Sequence, residues 1–133
     1  PSTYPRGVVT FENWPNPAVR AAMARARALV VPSVWVEPFG IVAIEAMSAG
    51  APVIASATGG LVDIVDHDVT GLLVEPASPA ALATAMQRLD ADDELRNAMG
   101  GAGLRAAERY SAERVVDEIV AVYERAVASR RRA

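Results

Sequence analysis

The sequence of 133 residues contains no cysteine, which excludes disulfide bonds, thiol nucleophiles and cysteine-ligated metal sites. It also contains no lysine, so all 13 basic residues are arginine, and the formal net charge is −3. This charge gives no support to nucleic-acid binding. No uninterrupted apolar run approaches the roughly 18 residues that a membrane span requires, and no signal peptide is visible. We therefore expect a soluble cytoplasmic protein.

The residues that are present are typical of a globular domain. Apolar residues make up 52% of the chain and charged residues 22%. A chain of this length can form one domain with a buried core. Because the chain begins at Pro1 without a methionine, we expect an excised piece or a processed product.

Short apolar runs alternate with helical patterns along the chain, which is typical of an α/β protein. The predicted strands are residues 8–11, 28–31, 52–55 and 71–74. Strands that alternate with helices form parallel sheets with right-handed crossovers. We therefore predict a Rossmann-like, small parallel sheet of about four strands with helices on both faces.

Helix boundaries are predicted from capping residues and from apolar spacing. Asn16 is predicted as the N-cap of a first helix, and two further helices are predicted over residues 40–48 and 61–65. Three more helices are predicted to begin at Ser78, at about Asp92 and at Ser111. The helix that begins at Ser78 is expected to bury Leu82, Met86 and Leu89 on its inner face. The last helix carries an apolar stripe and ends in arginines 130–132. We predict a partial nucleotide-sugar-binding domain over residues 1–110 and, over residues 111–133, a C-terminal helix that packs on it with a basic tail.

The segment from Val31 to Gly60 carries the functional signal. A helix that opens at Gly40, beside the carboxyl end of a parallel strand, presents free amides that suit a phosphate. Glu37 and Glu45 flank this helix start, and carboxylates repel phosphate but accept hydrogen bonds from the hydroxyls of a ribose or a sugar. This combination indicates a nucleotide-sugar as ligand.

The sequence PSVWVEPFGIVAIEAMSAGAPVIASATGGLVDIV, followed by HDVTGLLVEP, resembles the C-terminal donor-binding domain of the family 4 retaining glycosyltransferases, which have the GT-B fold. The resemblance runs over about residues 8–110, and its most specific part is the block around EPFG. It implies that the chain is a fragment of such an enzyme, which transfers a hexose-type sugar with retention and without a bound metal.

The resemblance also implies the site residues. The candidates are Trp14, Glu37, Pro38, Phe39, Gly40, Ile41, Glu45, Gly59 and Gly60. Glu37 matches the glutamate that contacts the transferred sugar and is the catalytic candidate. Phe39, Gly40 and Ile41 match the turn whose amides approach the diphosphate, and Glu45 matches the glutamate that holds the ribose. Trp14 lies where the base binds, and Gly59 and Gly60 lie beside the donor sugar.

The implied substrate is a UDP-, GDP- or ADP-hexose, with no cofactor. The family's phosphate-binding arginine and lysine precede the segment seen here, and the N-terminal acceptor-binding domain is also absent, so we expect no turnover from this chain alone. Family members often act at membranes, which implies at most peripheral contact at the inner membrane surface. Asn13 replaces a family glycine, and asparagine is well suited to a left-handed turn.

Each candidate also has a purely structural interpretation. Glu37 is then a solvated loop carboxylate, Gly59 and Gly60 form a tight turn, and Phe39 and Trp14 are packing residues. Glu45 is harder to explain in this way, because a carboxylate among apolar neighbours is costly unless it is paired or lines a cleft. The alternative function is a non-catalytic nucleotide-sugar-binding or assembly module, including a homodimer through the exposed sheet edge.

Overall fold

The computed structural model describes residues 7–130. Its elements, in chain order, are α1 (Asn16–Met23), β1 (Leu29–Val31), α2 (Ile41–Ser48), β2 (Val53–Ser56), α3 (Leu61–Ile64), β3 (Gly71–Val74), α4 (Pro79–Ala91), α5 (Asp93–Ala107), a 3-10 turn (Glu108–Tyr110) and α6 (Ala112–Arg130).

The three strands form one parallel sheet in the order β1-β2-β3. Leu29 pairs with Val53, and Val53 pairs with Gly71. The parallel α/β architecture is thus confirmed, but the prediction of four strands is wrong. Residues 8–11 form no strand and are exposed, because their β-prone side chains have no neighbouring strand with which to pair.

Two apolar layers enclose the sheet. On one face, Val53 and Ala55 pack in a cluster with residues of α2 and α3. On the other face, Ile54 and Leu72 pack in a cluster with residues of α4 and α5. All four residues of β2 are buried, as an apolar central strand between two helical layers requires.

Most predicted helices form, with corrections at their ends and faces. Ser78 and Asp92 cap α4 and α5, and each side-chain oxygen accepts a backbone N–H three residues later. Asn16 is not the N-cap of α1, because Pro15 holds that position and Asn16 is already helical. On α4, Met86 is 49% exposed, and Ala85 occupies the buried position next to it.

The C-terminal helix differs from the expectation in its packing. Ser111 begins it as predicted, since its hydroxyl accepts the N–H of Arg114. None of the residues of α6 is buried, however. The apolar stripe that we expected to pack on the domain is therefore exposed; it consists of Val115, Val116, Ile119, Val122, Tyr123 and Val127. Of the basic tail, Arg131 and Arg132 lie outside the described residues.

Two adjacent glycines of α5 provide a test of how closely this helix approaches the turn that follows α2. A Cβ at Gly100 would overlap the carbonyl oxygen of Gly50, whereas a Cβ at Gly101 would meet only the flexible end of Arg105 at 3.6 Å. We expect Gly100→Ala to lower the free energy of unfolding by about 1–3 kcal/mol. Gly101→Ala should leave it unchanged or raise it by up to about 1 kcal/mol. Urea denaturation measures both, and equal effects would contradict the close approach.

Candidate functional site

The candidate site lies at the carboxyl end of the sheet, where α2 begins. Gly40 is the N-cap of α2 and has a φ of 101°, a left-handed conformation that favours glycine. A Cβ on Gly40 would lie 2.8 Å from Cδ2 of Leu61, in α3. The positive φ favours glycine here, and the short distance shows that the start of α2 lies directly against α3.

The first turn of α2 is open to an anion. Its amides include donors without a partner inside the helix, as at any helix N-terminus. No side chain caps them, and the first turn contains no acidic residue. Ile41 is 63% exposed. An anionic ligand would therefore meet free N–H donors and the positive end of the helix dipole.

Backbone contacts with the Gly59–Gly60 turn hold the loop that precedes α2. The N–H of Gly60 donates to the carbonyl of Glu37 at 2.7 Å. A Cβ on Gly59 would overlap that same carbonyl oxygen, and a Cβ on Gly60 would lie 2.5 Å from the carbonyl oxygen of Phe39. The hydroxyl of Thr58 donates to the carbonyl of Trp35 at 3.3 Å. The glycine pair thus permits the two loops to touch.

The two candidate carboxylates are partly buried, and neither forms an ion pair within residues 7–130. Ser33, which is 4% exposed, donates its hydroxyl to Oε2 of Glu37 at 3.2 Å. Glu45 lies on α2 between buried alanines and is itself partly buried. Elsewhere on the described surface, three aspartates are paired with arginines: Asp68 with Arg88, Asp90 with Arg27, and Asp93 with Arg27 and Arg96.

The remaining candidates are divided between two places. Pro38, Phe39 and Ile41 lie on the exposed side of the loop and of the first turn of α2. The ring of Phe39 is 49% exposed and packs edge-on against Tyr110, with centroids 6.1 Å apart. Trp14 lies in the segment before α1, where its ring stacks on Phe11 at 4.2 Å. The structure therefore groups the loop candidates but gives Trp14 a packing contact outside that group.

Three residues that contact the loop are not among the candidates that the sequence indicates. Ser33 and Thr58 hold the loop, and Tyr110 supports Phe39. The only available signal for Ser33 was its place four residues before Glu37. Thr58 and Tyr110 are distant in sequence from the loop, so no local pattern indicates them.

The described part of the chain contains neither a metal-binding cluster nor a membrane-spanning helix. Among residues 7–130, no group of three or more acidic or histidine side chains is placed to hold a metal ion. No helix among these residues combines the length and apolar character needed to cross a membrane.

Comparison with known proteins identifies the class and then the family. Solved structures that share this fold include GT-B glycosyltransferases. Residues 6–105 match the family described as glycosyl transferases group 1. Since this match covers most of the sequence, the chain belongs to that family.

Three relatives show the extent of the similarity. D-inositol 3-phosphate glycosyltransferase of Salinispora arenicola is 41% identical over 81% of this chain and 24% of its own length. Sucrose-phosphate synthase of Thermosynechococcus elongatus superposes with a TM-score of 0.77, at 41% identity over 81% of this chain and 27% of that one. HepE of Anabaena, solved with UDP-glucose, gives a TM-score of 0.74, at 28% identity over 77% of this chain and 29% of that one. The chain thus spans about a quarter of the length of these relatives.

The contact between the two loops predicts a specific effect of Gly59→Ala. Alanine at this position carries the cost of a positive φ and also overlaps the backbone of Glu37. Gly50→Ala is the matched control, because Gly50 also has a positive φ but nothing within 4 Å of its Cβ position. We expect Gly59→Ala to destabilise the chain by about 1–3 kcal/mol more than Gly50→Ala and to shift the amide resonances of Glu37 and Phe39. Equal destabilisation without such shifts would contradict the contact.

Proposed function

We propose that this chain is the donor-binding part of a family 4 retaining glycosyltransferase that transfers a hexose from a nucleotide-sugar. The observation that carries the proposal is the start of α2. Its first turn has no capping side chain and no acidic residue, and it lies between Glu37 and Glu45. Within residues 7–130 neither of these carboxylates has an arginine partner.

The diphosphate is assigned to the amides of Gly40 and Ile41. Backbone donors at a helix start stabilise a phosphate without a metal, since the N–H groups and the helix dipole both favour negative charge. In a transfer reaction, the same donors would stabilise the charge that develops on the leaving diphosphate. The proposed reaction is therefore metal-independent.

The hydroxyl groups of the ligand are assigned to the two glutamates. Glu45 lies five residues beyond Gly40, about 7–8 Å along the helix axis, a distance suited to the ribose of a nucleotide whose phosphates bind at the helix start. Glu37 precedes the helix in the loop that the Gly59–Gly60 turn fixes. We assign Glu37 to the sugar and, as the residue nearest the reacting centre, to catalysis. Pro38, Phe39, Gly59 and Gly60 form the surroundings of the sugar, while Trp14 is the proposed contact for the base.

The comparisons support a nucleotide-sugar ligand and an incomplete site. HepE was solved with UDP-glucose, which is a nucleotide-activated hexose. The chain spans about a quarter of the length of its relatives, and we propose that the acceptor-binding domain and further phosphate ligands lie in the part that it lacks. We accordingly propose that the isolated chain does not turn over.

One observation favours the second candidate function, a non-catalytic assembly module. The apolar stripe of α6 is exposed, with Ile119 at 50% and Tyr123 at 69%, and within residues 7–130 β1 is an open edge of the sheet. Surfaces of this kind promote association between chains. An association that is indifferent to nucleotides would support this alternative.

The two functions are distinguished by titrating UDP, GDP, ADP and their glucose conjugates into the chain while amide resonances are followed by NMR. We expect shifts at Gly40, Ile41 and Glu45 for one of the three bases. A folded spectrum that responds to none of them at millimolar concentration would contradict donor binding by this chain.

The separate roles of the glutamates are tested by substitution. We expect Glu45→Ala to weaken binding of the nucleoside diphosphate by about 1–3 kcal/mol, the range for losing hydrogen bonds to a charged group. Glu37→Ala should leave the affinity for the nucleoside diphosphate nearly unchanged and reduce the preference for the sugar conjugate. Dissociation constants from the same titration measure both, and equal effects of the two substitutions would mean that the roles are wrongly assigned.

A further inference from the structure

Ser33 is placed to control the side chain of Glu37. It follows β1 closely, is 4% exposed, and so sits at a rigid point of the fold. Its hydroxyl donates to Oε2 of Glu37 at 3.2 Å. Since Gly60 also fixes the carbonyl of Glu37, this residue is held both at its backbone and at one carboxylate oxygen.

We propose that Ser33 is a positioning residue, which holds Oε2 of Glu37 so that Oε1 is directed to a hydroxyl of the donor sugar. This inference rests on the proposed function. A glutamate side chain has several rotatable bonds, and fixing it before the ligand arrives reduces the entropy lost on binding. Ser33 itself does not touch the ligand, so its effect must pass through Glu37.

A double-mutant cycle tests this dependence. The ligands are whichever of UDP, GDP or ADP shifts the amide of Gly40, and its glucose conjugate. We expect Ser33→Ala to weaken binding of the sugar conjugate about fivefold, which corresponds to the loss of one hydrogen bond. The affinity for the nucleoside diphosphate should remain unchanged. In a Glu37→Ala background, Ser33→Ala should have no further effect. Ser33→Thr, which keeps the hydroxyl, should restore the preference for the sugar conjugate.

The outcomes separate the two proposals. Suppose that the nucleoside diphosphate binds, but that Ser33→Ala weakens the binding of both ligands equally or of neither. Ser33 then has no positioning role, while donor binding stands. If no nucleoside diphosphate binds at Gly40, the proposed function fails, and the role of Ser33 fails with it. Thermal unfolding of each variant shows whether loss of fold explains a loss of affinity.

A different observation concerns the outer edge of β3. Alternate residues of a parallel edge strand direct their N–H and C=O groups away from the sheet. The N–H of Leu73 donates to Nδ1 of His67 at 2.9 Å, and the carbonyl of Gly71 accepts the N–H of Asp68 at 2.9 Å. The turn of residues 66–70 therefore occupies groups with which another strand would pair.

Further contacts keep this turn in place. The hydroxyl of Thr70, which is 2% exposed, accepts the N–H of Asp66 at 2.9 Å. The carboxylate of Asp68 contacts the guanidinium of Arg88 at 2.5 Å, from α4, and lies 3.3 Å from Nε2 of His67. Because Nδ1 accepts a hydrogen bond, the ring carries its proton on Nε2, where it faces Asp68.

We infer that His67 and its turn block strand addition at β3 and so leave β1 as the open edge. At β1, the N–H of Leu29 donates to the carbonyl of Pro52, just before β2, so the N–H and C=O of Val30 point outward. An apolar cavity of 390 Å³, lined in part by Val30, Ile54 and Met86, lies beside that strand. The two edges of the sheet thus differ in their capacity to pair.

Substitution of His67 tests the block. We expect His67→Ala to increase hydrogen exchange at the amide of Leu73 at least tenfold and to increase self-association in sedimentation velocity. His67→Asn should restore protection, because its Oδ1 takes the place of Nδ1. In the His67→Ala background, Leu73→Pro should abolish the added association, since it removes the outward N–H. Unchanged exchange at Leu73 in His67→Ala, or association that survives Leu73→Pro, would overturn the inference.

Discussion

The candidate site depends on close contact between two backbone segments. The Gly59–Gly60 turn lies directly against the Glu37–Phe39 loop, with a hydrogen bond from Gly60 to Glu37 and no room for side chains between them. The loop leads into α2 through Gly40, whose left-handed conformation and contact with Leu61 fix the helix start. Anchoring the loop therefore fixes both the free helix amides and the carboxylate in front of them. Preorganisation of this kind lowers the cost of binding, because donors and acceptors are ordered before the ligand arrives.

The charged side chains of the described surface differ in their pairing. Three aspartates pair with arginines, among them Asp68 with Arg88 and Asp90 with Arg27. Exposed pairs of this kind contribute little stability. Glu37 and Glu45 have no such pairs within residues 7–130, although both are partly buried. Neutral hydroxyl donors, such as Ser33 or the hydroxyls of a sugar, can satisfy these oxygens.

Prediction from the sequence succeeded where local interactions determine the structure and failed where distant parts of the chain must meet. The strands at 28–31, 52–55 and 71–74 and the caps at Ser78 and Asp92 depend on local patterns, and they form close to their predicted bounds. Asn13 also adopts the expected left-handed conformation, with a φ of 52°. The strand predicted at residues 8–11 requires a neighbour that the described chain does not provide, and propensity alone does not form it.

In the candidate site too, residues close in sequence were predicted, whereas residues that reach the site through tertiary contacts were not. Glu37, Gly40 and Glu45 lie within nine consecutive residues, so their spacing was visible in the sequence and the structure places them around one helix start. Thr58 and Tyr110 reach the loop only through tertiary contacts. The exposed stripe of α6 shows most clearly what a local sequence pattern cannot predict. An amphipathic stripe predicts that a helix will be covered, but it does not identify the surface that covers it.

The apolar stripe of α6 and the edge of β1 are exposed within residues 7–130, and the chain spans about a quarter of the length of its relatives. The proposed donor site is incomplete in a similar way, because a binding site between two domains receives only part of its ligand contacts from each. The α2 helix start and its two carboxylates provide anion donors and hydroxyl acceptors, but within residues 7–130 no arginine pairs with either carboxylate. On the proposed function, the positive charge that balances the diphosphate comes from the part of the relatives' length that this chain does not span, and full ligand affinity requires that part.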